Sequence, residues 1–371
     1  MATKNTNLHN AKRGKNDEFY TQYEDIENEL WYYRDFFKGK VVFCNCDDAR
    51  ESNFFQYFAN RFEFLGLKKL ICIGYKENGK GILLEYEGDK NGNKVVDDCE
   101  VVATELEGNG DFRSEESIKY LKECDVVVTN PPFSLFREYV AQLMEYGKKF
   151  LIVGNMNAIT YKEIFPLIKN NELWVGYGFN VSYVYKTPYK NELDANAKFV
   201  TSKGYNPEDG YVKVPAVAWY TNIPHKKRNE ELVLYKEYSA EKYPKYDNYD
   251  AIEVSKVSEI PMDYEGVMGV PITFLDKYCP TQFEIIKFRK GDDDKDLSVN
   301  GKCPYFRILI RRKVKNTDTS TDNGTEVANI ITNNTPNEVV EEKKSFFKRI
   351  KVVLNKIGCA CLTLSTILGI F

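Results

Sequence analysis

Asp125-Val126-Val127-Val128-Thr129-Asn130-Pro131-Pro132-Phe133 decides the fold: a run of β-branched residues passes without a break into Asn-Pro-Pro-aromatic. Such a run is a buried strand. The two prolines end it, because each fixes its own φ and removes a ladder donor. A chemically equipped turn thus follows a strand directly, as at the carboxyl ends of strands in open α/β sheets.

Similar runs lie to either side, at Val41-Val42-Phe43-Cys44, Leu70-Ile71-Cys72-Ile73 and Phe150-Leu151-Ile152-Val153. Each is followed by a helix-like or turn-like stretch, which predicts a mostly parallel, doubly wound α/β sheet. Gly81–Tyr86, the Asn91-Gly92 turn signal and Val95–Leu106 have another texture and predict a hairpin and an added strand in the first half of the sheet. A helix is expected around Tyr161–Lys169. Strands at Leu173–Tyr177 and Val214–Tyr220, split by a tyrosine-rich polar insertion, suit an antiparallel closing pair. Residues about 225–315 read as mixed and irregular.

The chain has 371 residues, 43% of them hydrophobic and 14% aromatic, enough for one large α/β domain with a smaller attachment. A formal net charge of −3 gives no global attraction to a polyanion, so a nucleic-acid surface would have to be a local basic patch. The first residues carry charges and amides but no apolar signal segment, so the nine cysteines are expected to be reduced thiols in the cytoplasm. Cys44 with Cys46 and Cys359 with Cys361 lack CxxC spacing and a nearby histidine, and no metal is implied.

Between Phe306 and Phe346 there is no aromatic residue, and 316–342, rich in Thr, Asn, Asp and Glu, reads as a disordered linker. Residues 343–371 read as a basic, then apolar C-terminal helix, with Ile350, Val353, Leu354, Ile357, Cys361, Leu364 and Leu368 at helical spacing. Its apolar part is shorter than the ~20 residues of a spanning helix, so membrane contact would be weak, and docking on the body or on a partner is the alternative.

The Asn-Pro-Pro-Phe turn has a definite chemical use. An exocyclic amine conjugated to an aromatic ring is a poor nucleophile because its lone pair is delocalised. The Asn130 side-chain oxygen and the Pro131 carbonyl can accept both amine hydrogens and turn the lone pair towards a methyl donor. Pro132 helps to hold that carbonyl outward, and Phe133 offers a flat face for a planar substrate. The pattern fits methylation of adenine N6 in DNA or RNA, or of a glutamine amide in protein, and does not choose among them.

The choice comes from a resemblance. Asn16-Asp-Glu-Phe-Tyr-Thr-Gln22, Cys44-Asn-Cys-Asp-Asp48 followed by Ser52-Asn53-Phe54, the Asn130 motif and Gly154-Asn-Met-Asn-Ala158 come first. Trp219-Tyr-Thr-Asn222, His225-Lys-Lys-Arg228 and Gly269-Val-Pro-Ile-Thr-Phe-Leu-Asp-Lys277 follow in order. In these stretches the chain resembles the EcoRI-type family of adenine-specific DNA methyltransferases, from about residue 16 to 313. One departure is Cys279, where asparagine is expected.

The resemblance implies a Rossmann-like S-adenosylmethionine-dependent methyltransferase sheet with inserted and C-terminal DNA-recognition elements. It implies a domain over 1–315, with a catalytic core at about 16–224 and DNA-recognition portions at about 178–213 and 225–315. The implied activity is transfer of methyl from S-adenosylmethionine to adenine N6 in double-stranded DNA, with a companion restriction endonuclease as an expected partner. The alternatives are an RNA adenine or protein glutamine methyltransferase, or a catalytically inactive DNA-binding or membrane-associated module.

No Gly-x-Gly loop follows the first strand. By resemblance, Asn45, Asp47 and Asp48 lie at the donor's amino-acid end, Asp111 and Phe112 at its adenine, and Phe19, Tyr20 and Thr21 beside it. Asn130, Pro131, Pro132 and Phe133 are the candidate catalytic residues. His225, Lys226, Lys227 and Arg228, with Arg311 and Arg312, are the candidate DNA contacts, while Lys12, Arg13 and Lys15 read as a solvated face.

Overall fold

The computed structural model describes residues 21–47, 49, 52–179, 181–186, 197–214 and 216–313. The strands of the first part are β1 (Val41–Asp47), β2 (Lys69–Gly74), β3 (Ile82–Tyr86), β4 (Val101–Glu105), β5 (Val126–Thr129), β6 (Lys149–Asn155), β7 (Trp174–Val175), β8 (Tyr183–Lys186), β9 (Tyr211–Val214) and β10 (Val217–Thr221). Eight of them form one sheet in the order β4-β3-β2-β1-β5-β6-β10-β7. Its centre, β2-β1-β5-β6, is parallel, while β3, β4 and β10 join antiparallel.

The fold is therefore the α/β class expected, and each of the four apolar runs lies on one of the parallel strands. Alternation along them divides the core. Val41, Phe43, Ile71, Ile73, Val127, Phe150 and Ile152 point to one apolar cluster; Val42, Cys44, Leu70, Cys72, Val126, Val128, Leu151 and Val153 point to the other. Burial on both faces is what makes such strands continuously hydrophobic. Of the hairpin and added strand expected in the first half, the structure has the hairpin β3 and β4, and the closing pair is β10 with a two-residue β7. Within the polar insertion, β8 and β9 pair antiparallel, with a helix at Ala197–Ser202 between them.

The stretch read as irregular has a sheet of its own. β11 (Ala251–Glu253), β12 (Val267–Pro271), β13 (Phe283–Phe288) and β14 (Arg307–Arg312) form it in the order β11-β12-β14-β13. Ile252, Met268, Val270, Phe283, Ile285, Ile308 and Ile310 face the same cluster as Phe150 and Ile152, so the two sheets share one core. The signal was faint because β11 has three residues, β12 ends on proline, and β13 shifts register between Ile285 and Lys287.

Among the described residues no helix is long and apolar enough to cross a membrane. The linker and helix expected at 316–342 and 343–371 lie outside the described residues, as do Phe19, Tyr20 and Asp48.

Candidate functional site

Strand β5 is buried along its whole length and fastened to β1 at both ends. The backbone N–H of Val41 donates to the Asp125 carboxylate at 2.8 Å, and the Asp125 N–H donates to the Val41 carbonyl at 2.9 Å. At the far end the Thr129 hydroxyl donates to the Asn45 carbonyl. Asn130 is thereby delivered, half-buried, to the carboxyl edge of the sheet beside the end of β1. Pro131 is buried, and Pro132 holds φ −54° and ψ 127° before the short 3-10 turn Phe133–Leu135. The Leu135 N–H closes that turn on the Pro132 carbonyl at 3.0 Å. The Pro131 carbonyl accepts no hydrogen bond among the described residues, which leaves an acceptor next to Asn130. Phe133 is half-buried against the cluster that holds Phe54 and Trp219.

The end of β1 has an unusual backbone. Its register with β2 shifts between Cys44 and Asp47, and Cys46 adopts φ +70°, the left-handed region that favours glycine. A cysteine makes the bend that a glycine makes in most such loops. Asn45 is buried; its side-chain oxygen accepts from the Tyr139 hydroxyl while its carbonyl accepts from Thr129. Tyr139, on the helix Phe136–Glu145 that follows the Asn130 turn, also meets Phe112 edge to face at 5.0 Å. Burial, together with the neighbouring Cys46 thiol, pushes the Tyr139 phenol well above its usual range, so it stays a donor.

Three glycines bring further segments to this edge. A Cβ on Gly110 would lie 2.4 Å from the Gly74 carbonyl oxygen, one on Gly81 2.7 Å from it, and one on Gly74 2.7 Å from the Ala49 nitrogen. Only glycines let the chain after β1, the end of β2 and the 109–112 loop come so close. Asp111, half-buried in that loop, takes a two-pronged bond from Arg113 at 2.9 and 2.6 Å, which holds its carboxyl below the usual range. Phe112 is buried. Thr21 is buried too, and its carbonyl accepts from the Asn53 side chain at 2.8 Å, which sets it beside the start of the helix after β1.

Asn45, Thr21, Asp111, Phe112 and the Asn130 turn thus converge on the carboxyl edges of β1, β2 and β5. Asp47 ends β1 at that edge, opposite Gly74. Sequence reasoning missed Tyr139, which joins the two loops: Phe136, Tyr139, Val140 and Leu143 have plain core spacing, and nothing in it reports the hydroxyl.

The basic clusters are placed differently from a free patch. His225 is buried between Tyr33 and Tyr177, with ring centroids at 5.8 and 5.1 Å, and burial pushes its pKa down to about 4. The Lys227 ammonium bonds to Asp276 and lies 3.4 Å from the Tyr177 carbonyl. Arg228 lies 3.6 Å over the Trp174 ring and donates to Asn171 at 3.2 Å. Lys226 is exposed. Arg311, also exposed, pairs loosely with Glu284 at 3.2 Å, and Arg312 donates to the Met262 carbonyl.

Comparison with known proteins gives these positions a context. The family model described as adenine-specific methyltransferase EcoRI matches residues 7–350. The chain is 54% identical over 328 residues to Type II methyltransferase M.EcoRI of Escherichia coli, covering 84% of this chain and 99% of that protein. It is 44% identical to Type II methyltransferase M.MpnI of Mycoplasma pneumoniae, with 82% and 97% covered, and 37% identical to M.MgeORF184P of Mycoplasma genitalium, with 82% and 98% covered.

Proposed function

The chain belongs to the EcoRI family of adenine-specific methyltransferases, and we propose that it methylates adenine N6 in duplex DNA with Asn130, Pro131 and Phe133 as the residues that hold the target base. It is a DNA adenine methyltransferase of the restriction-modification type, and a companion endonuclease acting on the same site is the partner this reading expects. The observation that carries the assignment of roles is the Asn130-Pro131-Pro132-Phe133 turn, fixed by Thr129 and Asn45 next to the bent end of β1.

The residues at the edge fit S-adenosylmethionine. Asp111 stays ionised and keeps acceptor capacity beyond Arg113 for an amine, and the resemblance assigns Asp47, the last residue of β1, to an ammonium group. When bound, the cofactor supplies a methyl group on a sulfonium centre, an electrophile that needs no metal. Asn45 serves as a brace, because Tyr139 and Thr129 already occupy its two oxygens.

Asn130 and Pro131 do the positioning. With the amine's two hydrogens bonded to the Asn130 oxygen and the Pro131 carbonyl, the nitrogen is drawn towards tetrahedral geometry and its lone pair faces the end of β1. Phe133 stacks on the base, which leaves the duplex to reach it. Neither Asn130 nor Pro131 is a base of useful strength, so the proton released after transfer goes to water. Catalysis is orientation and electrostatics with no covalent enzyme intermediate.

The catalytic core is assigned to about 16–224, and DNA recognition to the insertion at about 178–213 and to 225–315. Lys226 and Arg311 are the phosphate contacts of this reading, since an exposed pair such as Arg311 with Glu284 is held weakly. RNA adenine or a protein glutamine would use the same four residues. Labelled methyl from S-adenosylmethionine is expected to enter duplex DNA, recovered as N6-methyladenine; incorporation only into structured RNA or protein extract would overturn the reading.

A further inference from the structure

Lys227 reads in the sequence as part of a basic cluster, yet it lies inside a chain of contacts that joins four parts of the molecule. The chain starts at Glu29, buried near the end of the helix Tyr23–Leu30. One of its carboxylate oxygens accepts from the Tyr177 N–H at 2.7 Å and from the Tyr33 hydroxyl at 3.2 Å; the other accepts from the Gly178 N–H at 2.6 Å. These N–H groups lie just beyond β7, where the insertion leaves the main sheet. The fit is tight: a Cβ on Gly176 would lie 2.3 Å from the Glu29 carboxylate, and one on Gly178 2.1 Å from the Tyr183 hydroxyl. Tyr183, on β8 of the insertion, donates to the Gly178 carbonyl at 2.7 Å.

From the same Tyr177 the contacts run on to the second sheet. The Tyr177 hydroxyl accepts from the Lys227 N–H at 3.2 Å, and its carbonyl lies 3.4 Å from the Lys227 ammonium. That ammonium bonds to Asp276, in the 3-10 turn Ile272–Lys277 that follows β12. The Lys227 and Asp276 side chains are only 16% and 21% exposed. Lys277 lies 3.5 Å from the other Asp276 oxygen at a more exposed position.

We propose that Lys227 and Asp276 are positioning residues for DNA recognition: with Glu29 as the common anchor, they lock the insertion and the second sheet to the catalytic core at a fixed attitude to Asn130. This rests on the assignment of both portions to DNA recognition. A phosphate would have to displace a carboxylate from Lys227, and a paired charge releases no counterion. A half-buried pair resists such a loss, because Asp276 would be left with only the more exposed Lys277 as counter-charge. The pair therefore acts through geometry, and the consequence falls on specificity.

The test uses the full chain with Lys227→Gln, Asp276→Asn and the double variant. Affinities for a cognate and a scrambled duplex are measured over a range of salt concentrations, with methyl transfer alongside. Each single variant is expected to lower the preference for the cognate duplex about tenfold, with the salt dependence unchanged. The double variant, in which neither charge is stranded, should be no worse than the worse single one.

A direct phosphate contact gives the opposite pattern. Lys227→Gln would then weaken both duplexes and flatten the salt slope by about 0.9, while Asp276→Asn would leave binding unchanged or tighten it. That result overturns the proposal, and so does full cognate preference in all three variants. Where a single variant melts, the folded double variant decides: a lost preference supports the proposal and a retained one overturns it. Failure of the unaltered chain to methylate any duplex would instead count against the assigned activity.

Discussion

The loop that ends β5 and the loop that ends β1 touch through Thr129 and Asn45, and opposite means shape them. In the first, two prolines fix the backbone and a 3-10 turn closes it. In the second, a register shift and a cysteine at φ +70° make the bend, and a tyrosine from another helix braces it. One loop sets its backbone shape with its own prolines and is tied to the other only at Thr129, and the other borrows its shape from its neighbours. The loop proposed to hold the acceptor should therefore tolerate changes elsewhere, whereas the loop proposed to hold the donor should answer to changes at a distance.

The largest effect is expected at Asn130. Asn130→Ala removes one of two acceptors for the amine and should lower single-turnover methyl transfer on the order of a hundredfold or more. A rate within a few-fold of the unaltered chain would mean that the turn does not hold the acceptor.

Cys46 sharpens the contrast next. A β-branched residue is poorly tolerated in the left-handed region, so Cys46→Val should reduce donor affinity about tenfold and lower the melting temperature, whereas Cys46→Gly should retain the fold. Calorimetric titration with S-adenosylmethionine and a thermal melt read both. Equal tolerance of valine and glycine would remove backbone shape from the account of this loop.

Tyr139→Phe deletes one hydroxyl and leaves the ring against Phe112. Loss of a buried hydrogen bond worth about 1 kcal/mol should raise the KM for the donor roughly fivefold and leave kcat almost unchanged. A fall in kcat alone would move Tyr139 to the acceptor side.

The smallest expected effect concerns pH. Arg113 holds the Asp111 carboxyl low, so Asp111 stays ionised to a lower pH than a free aspartate and donor affinity should persist on acidification. In Arg113→Leu the carboxyl regains its proton nearer its ordinary value of about 3.9, and affinity should begin to fall at a higher pH than in the unaltered chain. Superimposable pH profiles of donor binding would take Asp111 out of the donor's site.

The same contrast explains how much could be read in the sequence. The β5 strand and its turn were legible because β-branched residues and prolines act locally. The glycine-free loop after β1 was not, since φ +70° at Cys46 goes with a register shift against β2 and with bonds to Asn45 from Thr129 and Tyr139, 84 and 94 residues away. The surroundings of the basic cluster were hidden for a related reason. Charge is visible in Lys227 and Arg228, but the partners that engage them, Asp276 and Trp174, are distant in the chain. The second sheet escaped because its strands are short and broken, and its burial depends on residues of the first sheet.

Titration of S-adenosylmethionine against Asn130→Ala and Cys46→Val, side by side with the unaltered chain, tests the division of the edge into two sites most directly. Asn130→Ala is expected to bind the donor as the unaltered chain does, and Cys46→Val about tenfold more weakly. Equal loss of donor affinity in both variants, or loss in Asn130→Ala alone, would contradict that division.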